Sequence, residues 1–175
     1  MKDVEILQKA IKLEKDGRKF FQQAYNKTSH PLAKETFKSL ADWELQHITA
    51  IKKYHSILHD IGEWGTVAEL SQDKGKAISK FRSLFEQARQ RIDESVQTET
   101  DLIQAYKVAK DIENKVITFY KKSAAETSEP KAKQFYEFLL NQEREHFKIL
   151  DNSLQYLENP SQWYIRDEDW MFDGG

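Results

Sequence analysis

Apolar side chains recur along this chain at alternating intervals of three and four residues, the spacing that keeps them on one face of an α-helix. Four long stretches show it. Leu7, Ala10, Glu14, Gly17, Phe21 and Ala24 mark about 4–27, and Ala33, Phe37, Leu40, Glu44, His47, Ile51, Tyr54 and Leu58 mark about 31–60. Leu102, Tyr106, Ala109, Glu113, Val116, Tyr120 and Ser123 mark about 101–126, and Ala132, Tyr136, Leu139, Glu143, His146, Leu150 and Leu157 mark about 130–158. A shorter stripe runs through Ile78, Phe81, Phe85, Ala88 and Ile92. The pattern predicts an all-α fold, a four-helix bundle over 1–158 whose crossover, 61–100, carries an extra helix. An acidic, aromatic tail over 159–175, with Trp163, Tyr164, Trp170 and Phe172, is expected to pack on the bundle or on a partner subunit.

The four stretches are two copies of one helical hairpin. An offset of 99 positions pairs Thr28-Ser29-His30-Pro31 with Thr127-Ser128-Glu129-Pro130, Glu14 with Glu113, Phe21 with Tyr120, Phe37 with Tyr136, Leu40 with Leu139, Glu44 with Glu143, His47 with His146 and Ile51 with Leu150. Ser29 and Ser128, each two residues before proline, are the predicted N-cap side chains of the second and fourth helices. The long crossover is expected to take the chain across the bundle, with the third helix starting at the end where the first one starts.

At 175 residues, with 39% hydrophobic and 32% charged positions and only 6 Gly and 3 Pro, the chain has the make-up of one helical domain. A net charge of -2 with both signs interspersed offers no basic footprint for nucleic acid or an anionic membrane surface, and no run of apolar residues is long enough for a membrane span. Met1-Lys2-Asp3-Val4-Glu5 leads straight into an amphipathic pattern without the apolar core of a secretory signal, so the cytoplasm is the expected compartment. With no cysteine, the chain has no thiolate for catalysis, disulfides or iron–sulfur ligation. Its chemistry must use oxygen and imidazole donors.

Those donors sit where they are most costly. An ionised carboxylate on an apolar helix stripe costs several kcal/mol unless something pairs with it, yet each of the four stripes carries one: Glu14, Glu44, Glu113 and Glu143. His47 and His146 follow Glu44 and Glu143 by three positions, on the same helix face. Two divalent cations would neutralise four carboxylates, and mixed carboxylate and imidazole donors suit iron or manganese better than structural zinc. The competing reading is a set of polar core residues that fixes the register of the bundle. Tyr120, two turns beyond Glu113, is placed to hydrogen-bond a ligand carboxylate or to serve as ordinary core; Phe21 at the matching position can only pack. Tyr25, Tyr54 and Tyr106 are expected in the core or at its boundary. His30, His55 and His59 have no Glu three residues earlier and are expected to be exposed or satisfied by neighbours, and Lys12, Lys15 and Asp16 to lie on a solvated face.

Through Leu13-Glu14 with Phe20-Phe21, Glu44-Leu45-Gln46-His47, Ile112-Glu113 with Phe119-Tyr120, and Glu143-Arg144-Glu145-His146, roughly 1–158 resembles the rubrerythrin-like branch of the ferritin-like superfamily. The resemblance implies a ferritin-like bundle holding two iron ions, with manganese or zinc as substitutes. Glu44 and Glu143 would bridge the ions, Glu14 and Glu113 would each bind one terminally, and His47 and His146 would each ligate one. It implies reduction of hydrogen peroxide or oxygen, a role in oxidative stress. Two departures stand out: Val116 occupies the place of a further glutamate, leaving a six-residue ligand set, and no cysteine-ligated rubredoxin domain is present, so electrons would come from a separate donor protein. Iron oxidation for storage, and a non-catalytic module held together by metal, are the alternative functions. A homodimer, with exchange of one hairpin between copies as a variant, is the expected assembly.

Overall fold

The computed structural model describes residues 2–65 and 100–159. Within them lie four helices: α1 (Lys2–Lys27), α2 (Pro31–Ile61), α3 (Thr100–Glu126) and α4 (Pro130–Glu158). The expected helix around 78–92 and the tail beyond Asn159 fall outside the described residues. The helices stand in a square in which α1 neighbours α2 and α3, and α4 neighbours α2 and α3. None of them is long and apolar enough to cross a membrane.

Both hairpins turn in three residues, and proline sets how. A residue before proline is driven out of the helical region, and His30 (φ -65°, ψ 122°) and Glu129 (φ -86°, ψ 116°) are accordingly extended. They, and not Ser29 and Ser128, are therefore the N-cap residues, because a serine two places before proline lies one step outside the helix. The hydroxyls that order the turns belong to Thr28, which accepts from the His30 N–H at 3.1 Å, and Thr127, which accepts from the Glu129 N–H at 3.2 Å. Glu129 also caps α4 with its own carboxylate, accepting from the Lys131 N–H at 3.3 Å.

The direction of the third helix also differs from expectation. Leu102 and Tyr106, at the start of α3, pack with Phe21 from late α1 and with Leu32 and Phe37 from early α2. At the opposite end, Leu7 and Ala10 pack with Ile51, Tyr54, Val116, Tyr120 and Phe135. So α3 starts where α1 finishes. The reason is geometric: α2 returns the chain to the end where α1 began, and crossing the length of the bundle from there leads to the other end. That length is about 40 Å at 1.5 Å per helical residue, within the reach of the residues joining Ile61 to Thr100. Neighbouring helices are antiparallel throughout, and the two hairpins face each other head to tail.

This arrangement sorts the core into layers. Glu14, Glu44, Glu113 and Glu143 lie near the middle of their helices, and residues seven positions away, two turns along, form a sheath on either side. Toward one end the sheath is Leu7, Ile51, Tyr120 and Tyr136; toward the other it is Phe21, Phe37, Tyr106 and Leu150, and all eight are 0% exposed. Leu40 and Leu139 are equally buried.

Helix α2 ends at Gly62, whose φ of 78° is left-handed and whose N–H bonds to the Leu58 carbonyl at 3.0 Å. An added Cβ there would meet nothing within 4 Å, so only the backbone conformation favours glycine. Gly62→Ala is expected to cost about 1 kcal/mol of stability, and Gly62→Asn less, because asparagine tolerates this region. Chemical denaturation of the two variants beside the parent checks the order.

Candidate metal centre

Six titratable side chains meet at mid-height of the bundle, each at or below 6% exposure: Glu14, Glu44, His47, Glu113, Glu143 and His146. Helix periodicity places them there. The Glu-x-x-His spacing of α2 and α4 aims each pair at one region, and the two imidazoles stack on each other with centroids 5.1 Å apart and planes 15° apart. Ligand atoms from Glu44, His47, Glu143 and His146 all lie within 4.8 Å of one another.

The carboxylates divide into an inner and an outer pair. Glu143 reaches both imidazoles, with Oε1 2.9 Å from His47 Nδ1 and Oε2 3.2 Å from His146 Nδ1. Glu44 does the same at 3.6 Å and 3.3 Å. The outer two each approach a single imidazole, Glu14 at 3.4 Å from His47 Nδ1 and Glu113 at 3.7 Å from His146 Nδ1. Both oxygens of Glu113, both of Glu143, Glu44 Oε2 and His146 Nδ1 are buried without a hydrogen-bond partner among the described residues. Donors and acceptors here are close but not aligned on one another, as expected of atoms aimed at a shared third partner. Buried polar atoms are otherwise seldom left unpaired, so the donor set fits cations bound among them.

Electrostatics points the same way. Burial, then repulsion from Glu44 and Glu143, holds Glu14 well above the usual carboxylate range, and burial with the same two neighbours does so for Glu113. Burial also opposes the charge of Glu44, but the neighbouring Glu14 carboxyl and the two imidazoles outweigh it and keep Glu44 well below that range. For Glu143, burial and the Glu44 charge are outweighed by His47 and His146, and its pKa is lowered. Burial works against both imidazolium forms, yet the Glu143 charge and the surrounding carboxylates raise His47 and His146 above their ordinary value. Without cations these shifts favour protons on the outer carboxyls and on the imidazoles.

The structure sorts the other candidates. The Tyr120 hydroxyl donates to Glu14 Oε1, a carboxylate of the opposite hairpin and not of its own helix. Phe21, its repeat counterpart, stacks on Phe37 at 6.4 Å. Tyr54 and Tyr106 are buried, and Tyr25 is partly so. The Tyr106 hydroxyl, its pKa raised by burial, lies by Thr36 and Ser153, whose hydroxyls are 3.5 Å apart. His59 is exposed and pairs with Asp60 at 2.9 Å, His55 stacks on His59, and His30 is buried at the start of α2. Lys12, Lys15 and Asp16 are exposed. Sequence reasoning missed Trp43, whose indole stacks on the His146 ring at 5.3 Å. Its one signal was a break in the repeat, since the counterpart of Trp43 is Gln142.

Two outcomes follow from this geometry. Groups with raised folded-state pKa values stabilise the fold below their unfolded values and lose that contribution as pH rises through the folded ones. For Glu14, Glu113, His47 and His146 the loss begins above the ordinary values of 4.5 and 6.5. The metal-free protein should therefore melt at falling temperature as pH is raised from mildly acidic to alkaline. Loading with divalent metal should flatten that slope and release protons, measurable by calorimetry in buffers of different ionisation enthalpy. Tyr120→Phe should weaken binding of one of two ions by roughly 10-fold or more and leave the other near the parent value, as read in a competition titration with a chromophoric chelator.

No curated protein and no solved structure matches this sequence. The sequence model of one family, rubrerythrin, matches residues 5–154. Spanning both hairpins and every residue of the cluster, that match establishes that the chain belongs to the rubrerythrin family.

Proposed function

We propose that the protein is a di-iron oxidoreductase that reduces hydrogen peroxide or oxygen with electrons from a separate donor protein. The observation that carries this reading is the set of buried carboxylate oxygens of Glu44, Glu113 and Glu143 without hydrogen-bond partners beside the two Nδ1 atoms. Glu44 and Glu143, each within reach of both imidazoles, would be shared between two ions, with Glu14 and His47 serving one and Glu113 and His146 the other. Hard oxygen donors with one imidazole per ion suit ferrous and ferric iron, with manganese as the substitute. Two iron ions held there would supply one electron each toward reduction of an O–O bond.

The protein's own part is to bind, orient and enclose. Tyr120 fixes the orientation of Glu14, while among the described residues no hydroxyl bonds Glu113 in the same way. The fully buried Phe21, Leu40, Ile51, Leu139 and Leu150 keep water from the site, which strengthens the electrostatic interactions inside it. Val116, 4% exposed among apolar neighbours, favours one second reading. A six-residue ligand set also suits iron oxidation for storage, and a large shell-like assembly on sizing would favour that reading over a dimeric enzyme.

The test is stopped-flow mixing of the ferrous-loaded protein with hydrogen peroxide, following ferric absorbance. Glu44→Ala removes a bridge and should slow iron oxidation beyond the roughly 10–100-fold that loss of an outer hydrogen-bonding partner costs. Equal rates in parent and variant would sink the proposal.

A further inference from the structure

Away from the buried cluster, the last turns of α2 gather a second set of side chains able to bind a metal. His55 and His59 are four residues apart, the spacing that sets two side chains one above the other on a single helix face. Their rings lie nearly parallel, with centroids 6.2 Å apart and planes at 14°. His55 comes eight positions after His47, about 12 Å further along the helix at 1.5 Å per residue. The pair therefore shares no residue with the cluster at mid-height.

Two observations give this pair more than spacing. Asp60 Oδ1 lies 2.9 Å from His59 Nδ1, and Asp60 Oδ2 accepts from the Ser56 hydroxyl at 3.0 Å. An ionised carboxylate only accepts, so the proton of the first contact sits on Nδ1 and the neutral ring keeps its lone pair on Nε2. A carboxylate behind a histidine in this way sets the tautomer and the orientation of a metal ligand. His55 Nε2, for its part, is buried without a hydrogen-bond partner among the described residues, a condition that proteins seldom leave unresolved. Bundle packing does not account for the group, since Ser56, His59 and Asp60 are all exposed. Nor does the duplication: the counterparts of His55, Ser56, His59 and Asp60 are Leu154, Gln155, Glu158 and Asn159, and the other hairpin folds without an imidazole there.

We propose that His55 and His59 chelate a divalent transition-metal ion at the surface of α2 through their Nε2 atoms, with Asp60, held by Ser56, positioning His59. Two histidines one turn apart on a helix are a recurrent zinc-binding element. The donors also select the ion. The affinity of nitrogen donors rises from manganese and iron toward copper, with zinc below copper, and imidazole suits both of the latter. A pair of imidazoles thus favours Zn2+ or Cu2+, whereas the buried cluster with its four carboxylates suits iron. Two ligands fill only part of a coordination shell, and water takes the remaining positions. This surface site does not depend on the redox reading proposed above.

The experiment titrates Zn2+ into the full chain with its buried cluster already filled with iron, beside His55→Ala, His59→Ala and Asp60→Ala, each first checked for helical content and iron content. Calorimetry should show one zinc ion bound per chain in the parent without release of iron. Affinity should fall at least about 10-fold in either histidine variant, because the second imidazole no longer binds intramolecularly, and roughly 10-fold in Asp60→Ala. One equivalent of Cu2+ should give an electron paramagnetic resonance spectrum with coupling to two imidazole nitrogens in the parent and to one in His59→Ala. Zinc affinity equal in the parent and both histidine variants overturns the site, as does zinc that enters only by displacing iron. An Asp60→Ala variant that binds zinc as the parent does overturns the role given to Asp60.

Discussion

Four carboxylates share one cross-section of an apolar bundle, and much of this molecule can be understood as an accommodation of that fact. Desolvation disfavours each charge and mutual repulsion disfavours all of them together. The response is a cluster with positive charge built into its neighbourhood, as protons on His47 and His146 or as cations among the same atoms. Sealing layers two turns away on either side, all fully buried, keep the site from relaxing by admitting water. Removing the carboxylates would leave an unremarkable helical bundle, whereas removing the sheath would leave carboxylates that no longer need a cation.

Much of this was legible in the sequence because it rests on periodicity. The helix spans, the duplication and the convergence of Glu14, Glu44, His47, Glu113, Glu143 and His146 follow from intervals of three, four, seven and 99 residues. The level of these six residues could be read even though the direction of α3 was misjudged, because a residue at the middle of a helix stays at mid-height whichever way the helix runs. What escaped was set by contacts between helices or by local backbone rules. The partner of Tyr120 is Glu14 on α1, a contact that depends on α3 being antiparallel to α1. The caps moved from serine to the residues before proline because the pyrrolidine ring dictates the conformation of its predecessor. Trp43, three positions after Leu40 and packed against the core, reads by spacing as an ordinary core residue, and only its place against His146 sets it apart.

Membership of the rubrerythrin family and the geometry of the cluster agree, the first from the match over 5–154 and the second from buried polar atoms without hydrogen-bond partners among the described residues. The departures are as informative as the agreement. Val116 is a buried hydrocarbon where the resemblance would put a further glutamate, and the sequence offers no cysteine with which to ligate iron.

The pairing of Tyr120 with Phe21 has a wider consequence. A bundle assembled from two separate copies of one hairpin must carry the same residue at both places, either two hydroxyls or none. Joining the copies in one chain lifts that restriction, and this chain has used the freedom at Tyr120 and Phe21 and again at Trp43 and Gln142. Carrying both hairpins in one chain thus gives the two half-sites separate addresses, so that a change in one leaves the other untouched.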